Sequence, residues 1–82
     1  MPAREELKFY FKKELKNTRS KLNATQEEMA EQLKISSRAY SDLENGKYFC
    51  SAYVLINFVN RFDVDKEELF SNFNDIINSI EK

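Results

Sequence analysis

A single glycine, Gly46, and a single proline, Pro2, are all the special turn chemistry this 82-residue chain has. Tight β-hairpins want residues that accept positive φ at nearly every reversal, so a sheet has little to be built from. The apolar residues recur at helical rather than alternating spacing. Leu7, Phe11, Leu15, Thr18 and Leu22 follow one another at steps of three or four, on one face of a helix from about Ala3 to Leu22, and Tyr10 widens the stripe. Asn23 then stands where a left-handed residue is wanted, and Asn is the best substitute for Gly there.

The remaining boundaries are written in caps. Thr25-Gln26-Glu27-Glu28 is a capping box, in which the Thr hydroxyl takes an orphan N–H and Glu28 reaches back. It opens a short helix with Met29, Ala30 and Leu33 inward. Lys34-Ile35 makes a brief connection to Ser36, a second N-cap, and a third helix follows with Ala39, Tyr40 and Leu43 inward, stopping at Asn45-Gly46. Lys47 to Cys50 reads as a loop. Ser51 caps a fourth helix that buries Val54, Leu55, Phe58, Val59 and Phe62. Asp65-Lys66-Glu67-Glu68 caps a fifth carrying Leu69, Phe70, Phe73, Ile76, Ile77 and Ile80. The expectation is an all-α fold: five helices in one domain over residues 1–82, the first and last extended.

Several functions are disfavoured at once. A chain this short buries too little surface to house a deep enzyme cleft. It has no His, no pair of Cys and no Gly-rich loop, so the usual nucleophilic, zinc and phosphate-cradling constellations are missing. No catalytic residue, metal or cofactor is expected. Cys50, the one cysteine, excludes an internal disulfide, reads as a small buried apolar residue and suits a reducing cytoplasm. No apolar run approaches the ~20 residues of a membrane span, and the N-terminus lacks the apolar core of a signal peptide.

The formal net charge is −1, without the basic surplus usual in nucleic-acid binders, but the charge is unevenly placed. Residues 1–24 carry +4, residues 25–46 carry −3, residues 47–62 carry +2 and residues 63–82 carry −4. The acidic tail is free to face away from a polyanion.

Two short helices joined by a three- or four-residue turn form the arrangement that places a recognition helix in the major groove of DNA. The stretch from about Gln26 to Lys47 has that form, and Ala30 is small enough to let the pair cross closely. Its residues resemble the phage-repressor (Cro-like, XRE-type) helix-turn-helix family. The resemblance covers roughly Leu15 to Leu69: Arg19 ahead of Thr25-Gln26, Glu27 to Ala30, Leu33, Ile35 and Ser36, then Leu43-Glu44-Asn45-Gly46-Lys47. Ser51, Leu55, Phe62, Val64 and Leu69 complete it. Lys34 stands where that family usually has Gly, which calls for a left-handed lysine or a reshaped turn. Tyr40 replaces a smaller apolar residue, and its hydroxyl needs a partner.

The resemblance implies that Ser37, Arg38, Ser41 and Asp42 face base edges, and that Gln26, Ser36, Asn45 and Lys47 meet phosphates. Arg38 has the shape to contact guanine O6 and N7 together, and Asp42 to accept from a cytosine amino group. It also implies an internal ion pair between Arg19 and Glu44. Double-stranded DNA is therefore the expected partner, read as a palindrome by a homodimer of a transcription repressor. Phe73, Ile76, Ile77 and Ile80, on the helix over 66–80, form an apolar stripe that either packs on the first helix or meets a second subunit. The alternative is a protein-interaction module, such as an antitoxin with a toxin-like partner, using the acidic C-terminal segment.

Overall fold

The computed structural model describes residues 3–80, and within it the described residues form helices and no strand. The helices are α1 (Ala3–Leu22), α2 (Gln26–Leu33), α3 (Ser37–Glu44), α4 (Ala52–Arg61) and α5 (Lys66–Ile80). The helix starts are those the caps predict. Thr25 closes a complete capping box with Glu28, and the Ser36 and Ser51 hydroxyls accept from the N–H groups of Ala39 and Val54. The Asp65 carboxylate accepts from the Glu68 N–H at 3.1 Å.

The helix ends explain how the chain manages with one glycine. The N–H groups of Asn23, Lys34 and Gly46 bond back to Ser20, Glu31 and Leu43, while those of Ala24, Ile35 and Lys47 reach Arg19, Ala30 and Asp42. This paired pattern is the Schellman stop, which needs a left-handed residue at its pivot. Asn23 has φ 53°, Lys34 has φ 63° and Gly46 has φ 76°. One pivot is glycine, one is the tolerable asparagine, and one is a lysine carrying the steric penalty of that region. The α2–α3 turn therefore keeps its left-handed bend without the usual glycine. The half-buried Ile35 side chain packs on the core and helps hold it.

Tertiary packing places α1 against α3 and α5, with α2 packed on α3 and α4. Phe11 and Leu15 of α1 are sealed at the centre, with Met29, Ala30, Leu33, Tyr40, Phe58 and Leu69 around them. Aromatic edges organise one half of this core. Phe11 meets Phe58 at 5.3 Å and Phe49 at 5.6 Å between ring centroids, and Phe49 in turn meets Phe73 at 5.6 Å. Such pairs add about 0.5–1.5 kcal/mol beyond the area they bury. Phe49 belongs to the loop between α3 and α4, yet its half-buried ring packs against the core.

One expectation is corrected and one open choice is decided. Leu22, assigned to the inner face of α1, is 57% exposed, because the chain turns away at Asn23 before anything covers it. Phe73, for which the stripe left open either packing on α1 or an interface between copies, is buried within this chain, its ring against Tyr10, Phe49 and Phe70. The stripe on α5 thus does pack on the first helix, as far as Phe73. Ile76 is half-buried and Ile77 is 36% exposed, while the Ile80 side chain lies outside the described residues.

The three pivots make a direct test. Lys34→Gly should stabilise the protein by about 1 kcal/mol by relieving the left-handed lysine, whereas Gly46→Ala should destabilise it by about 1–2 kcal/mol. Urea denaturation followed by helical circular dichroism reads both. A destabilised Lys34→Gly would mean that the lysine side chain contributes more than its backbone costs.

Candidate nucleic-acid interface

The site begins with a buried carboxylate. Glu44, in the last turn of α3, is 1% exposed, a burial that a carboxylate tolerates only when its oxygens are bonded. Arg19 of α1 meets it with two parallel bonds, Nε to Oε2 at 2.9 Å and Nη2 to Oε1 at 2.8 Å. The Tyr40 hydroxyl, one turn earlier in α3, donates to Oε2 at 2.5 Å. The Gln26 amide, at the start of α2, donates to Oε1 at 3.1 Å. Both oxygens thus accept two bonds, and among the described residues no buried side-chain polar atom lacks a partner.

Burial alone raises the Glu44 carboxyl, but the bonds from Arg19, Tyr40 and Gln26 outweigh it and hold the group below the usual carboxylate range. The Arg19 guanidinium is stabilised in its charged form chiefly by that same bond. Burial first, and then the bond to a carboxylate, push the Tyr40 phenol far above its ordinary value, so it stays a donor. One cluster ties the C-terminal end of α3 to the start of α2 and the last turn of α1.

That anchoring sets the outward edge of α3. Its inner face buries Tyr40, Leu43 and Glu44, and the turn Lys34-Ile35-Ser36 holds its N-terminus beside α2. On the other side, Ser37 and Arg38 are exposed and Ser41 is half-buried. Among the described residues no carboxylate lies within ion-pair distance of Arg38, so Arg38 and Asp42 do not pair with each other despite their spacing. Asp42 is half-buried and faces Lys47 at 3.6 Å instead. Ser36 and Asn45 are exposed at the two ends of α3, with Asn45 in loose contact with Ser41 at 3.5 Å. The Lys47 side chain is 60% exposed.

Of the residues singled out in sequence, Ser36, Ser37, Arg38, Ser41, Asn45 and Lys47 therefore line one polar edge. Gln26 sits at its margin with its amide already engaged by Glu44. Asp42 is partly neutralised by Lys47, which softens the repulsion its charge offers to a phosphate. The sequence identified Arg19 and Glu44 as a pair but not the two further donors. Tyr40 carried the signal, a hydroxyl at a core position one turn before a Glu. Gln26 carried none, because its partner is eighteen residues away.

Cys50 is buried and its thiol is pushed up to about 12, mainly by burial and against a small opposing effect of its own backbone hydrogen bond. It is protonated and inert at neutral pH. No described helix is long and apolar enough to cross a membrane.

A short helix, a tight left-handed turn and a second helix with an anchored end and a polar outer edge define a helix-turn-helix protein. The chain matches the model of a helix-turn-helix domain over residues 13–74, well over half its length, and it belongs to that family. No curated protein and no solved structure matches it.

The buried cluster has a clear pH signature. A carboxyl whose folded pKa is depressed contributes stability that is present above its unfolded value and is lost as pH falls through the folded one. Stability should therefore decline below about pH 4.5, and a Glu44→Gln variant, already destabilised at neutral pH, should show a flatter decline. Arg19→Ala, which leaves Glu44 buried without its cation, should cost about 3–5 kcal/mol at pH 7 by urea denaturation. Equal acid slopes for wild type and Glu44→Gln would remove Glu44 as the source.

Proposed function

We propose that this protein is a sequence-specific DNA-binding regulator of the phage-repressor type, acting as a repressor that binds a palindromic operator as a dimer. The observation that supports it most is the outer edge of α3. It is polar and exposed, it has an unpaired Arg38 near its N-terminal end, and it is held rigid from behind by the Glu44 cluster. A recognition helix needs a rigid support and side chains free to reach base edges. Ser37, Arg38 and Ser41 supply the base contacts in this reading, and Asp42 contributes after giving up Lys47. Ser36, Asn45, Lys47 and the second amide hydrogen of Gln26 serve the phosphates.

Dimer formation follows from the scarcity of charge. One edge with Arg38 and Lys47 as its cations neutralises few phosphates, and two edges on one duplex double the gain. With Phe73 withdrawn into the core and Ile77 set among Arg4, Leu7 and Lys8, the surface left for a second copy on α5 is Phe70, 43% exposed, with the half-buried Ile76. A palindrome and an isologous contact share one two-fold axis. The reading assigns no catalytic role and no cofactor, and it places the protein in the cytoplasm, where a buried, protonated Cys50 needs no partner.

A second reading is favoured by one observation. On α4, Tyr53 is 61% exposed and Ile56 is 56% exposed, neighbours on the helix surface that none of the described residues covers. An antitoxin-like module built on the same fold would use such apolar residues, together with the acidic end of the chain, to hold a protein partner.

Fluorescence anisotropy on labelled duplexes, followed by selection of bound sites from a random pool, tests the leading reading. Binding should weaken steeply with salt, and Arg38→Ala should relax base preference at one position by about 1–3 kcal/mol. Arg38→Ala with Lys47→Ala should weaken binding further. Absence of salt-sensitive binding, or a double variant that binds like wild type, would falsify the proposal.

A further inference from the structure

Beside the loop that follows α3 lies a groove of about 580 Å³ whose charge is all of one sign. Arg4 and Lys8 of α1 line it together with Lys47 and Tyr48, over an apolar floor that includes Leu7 and Ile77, and no acidic side chain takes part. Arg4, Lys8 and Lys12 recur at every fourth residue and so form one stripe along α1. Lys12 ties that stripe to the recognition unit. Its Cδ is 3.2 Å from where a Cβ on Gly46 would stand, and its ammonium sits 5.6 Å from the Phe9 ring centroid. The stripe therefore starts at the glycine that ends α3 and runs away from it toward Arg4.

The cations in this groove keep donors to spare. Arg4 is exposed, and the Lys8 ammonium bonds Glu5 at 2.7 Å, which leaves two of its three donors. Tyr48 is 57% exposed and sets a phenolic hydroxyl among them. The larger groove, along the opposite edge of the buried stripe of α1, has the reverse character, with five carboxylates around Lys21 and Arg61. Charge on this nearly neutral molecule is segregated, and the positive part adjoins the α3 edge.

We infer that the DNA footprint extends beyond the helix-turn-helix: Arg4, Lys8 and Tyr48, with Lys12 and Lys47, bind the sugar-phosphate backbone flanking the half-site read by α3. The inference rests on the DNA-binding reading above and adds to it a second, sequence-independent contact surface. Two observations select DNA as the occupant. Three cations and no carboxylate line the groove, although Lys8 and Lys47 each face one carboxylate outside the lining, Glu5 and Asp42, and it is continuous through Lys47 with the outer edge of α3, so its excess donors complement a phosphodiester chain. From Arg4 to Lys12 the helix rises about 12 Å, which spans about four base pairs of duplex. The extension of α1 thus supplies the phosphate contacts that a lightly charged recognition edge lacks.

The test uses the full chain and a labelled mixed-sequence duplex of about thirty base pairs, titrated at several salt concentrations. The slope of log K against log salt should be shallower by about 2 for Arg4→Gln with Lys8→Gln, since each lost phosphate contact removes about 0.9. Arg4→Gln alone, at an exposed position, should remove about half of that change with the thermal midpoint intact. Tyr48→Phe should weaken binding with no change of slope. Wild-type binding combined with an unchanged slope in the double variant overturns this inference and leaves the DNA-binding reading standing. No salt-sensitive binding by wild type overturns both. Vesicles of phosphatidylglycerol and phosphatidylcholine form the control: Arg4- and Lys8-dependent vesicle binding with an unchanged duplex slope assigns the groove to lipid and overturns it too.

Discussion

The Glu44 carboxylate is the constraint on which the rest of the structure depends. It is an anion taken out of water at a point that side chains of α1, α2 and α3 all reach. Desolvating a carboxylate costs several kcal/mol, and that cost is recovered only in the arrangement where Arg19, Tyr40 and Gln26 all point at it. An apolar residue at this position would pack in many orientations with similar energy. The charged cluster has one good geometry, and it sets the angle at which α3 leaves the core.

The outer edge of α3 inherits its precision from that cluster. Ser37 and Arg38 are exposed, yet they sit on a helix held at its N-terminal end by the Ser36 cap and at its C-terminal end by Glu44. The Schellman stops at Lys34 and Gly46 fix where the chain enters and leaves. The backbone of this edge is then rigid without being buried, so little backbone freedom is left to lose when it meets a partner.

The extended α1 links core and periphery. Its inner residues, Phe11 and Leu15, form the centre of the core, while Lys12, one step along, lies over Gly46. A single helix thereby carries packing on one side and a line of positive charge on the next. Acidic charge gathers around the start of α5, where five carboxylates outnumber Lys21 and Arg61, and positive charge lines the groove on the other side of α1, on a chain whose sum is −1.

Local chemistry was legible in the residues themselves. The caps at Thr25, Ser36 and Ser51 and the pivot at Asn23 mark their boundaries because each satisfies a helix end with its own atoms or with those a few residues away. The same holds for the inward faces of α2 and α3, whereas the pair Arg19 and Glu44, twenty-five residues apart, was implied only by the family resemblance. What spacing alone left open was long-range. Leu22 falls on the apolar stripe but is uncovered, Phe73 fits an interface equally well and is buried, and Phe49 lies in a loop and completes the core. Periodicity tells which residues share a face, and only the packed chain decides what that face meets. The single glycine that began the argument belongs to both. Its scarcity excluded a sheet from sequence alone. That it lies beneath Lys12, next to the lysine that lines a basic groove, was decided by tertiary structure, because α1 and the α3 end approach each other only across the folded core.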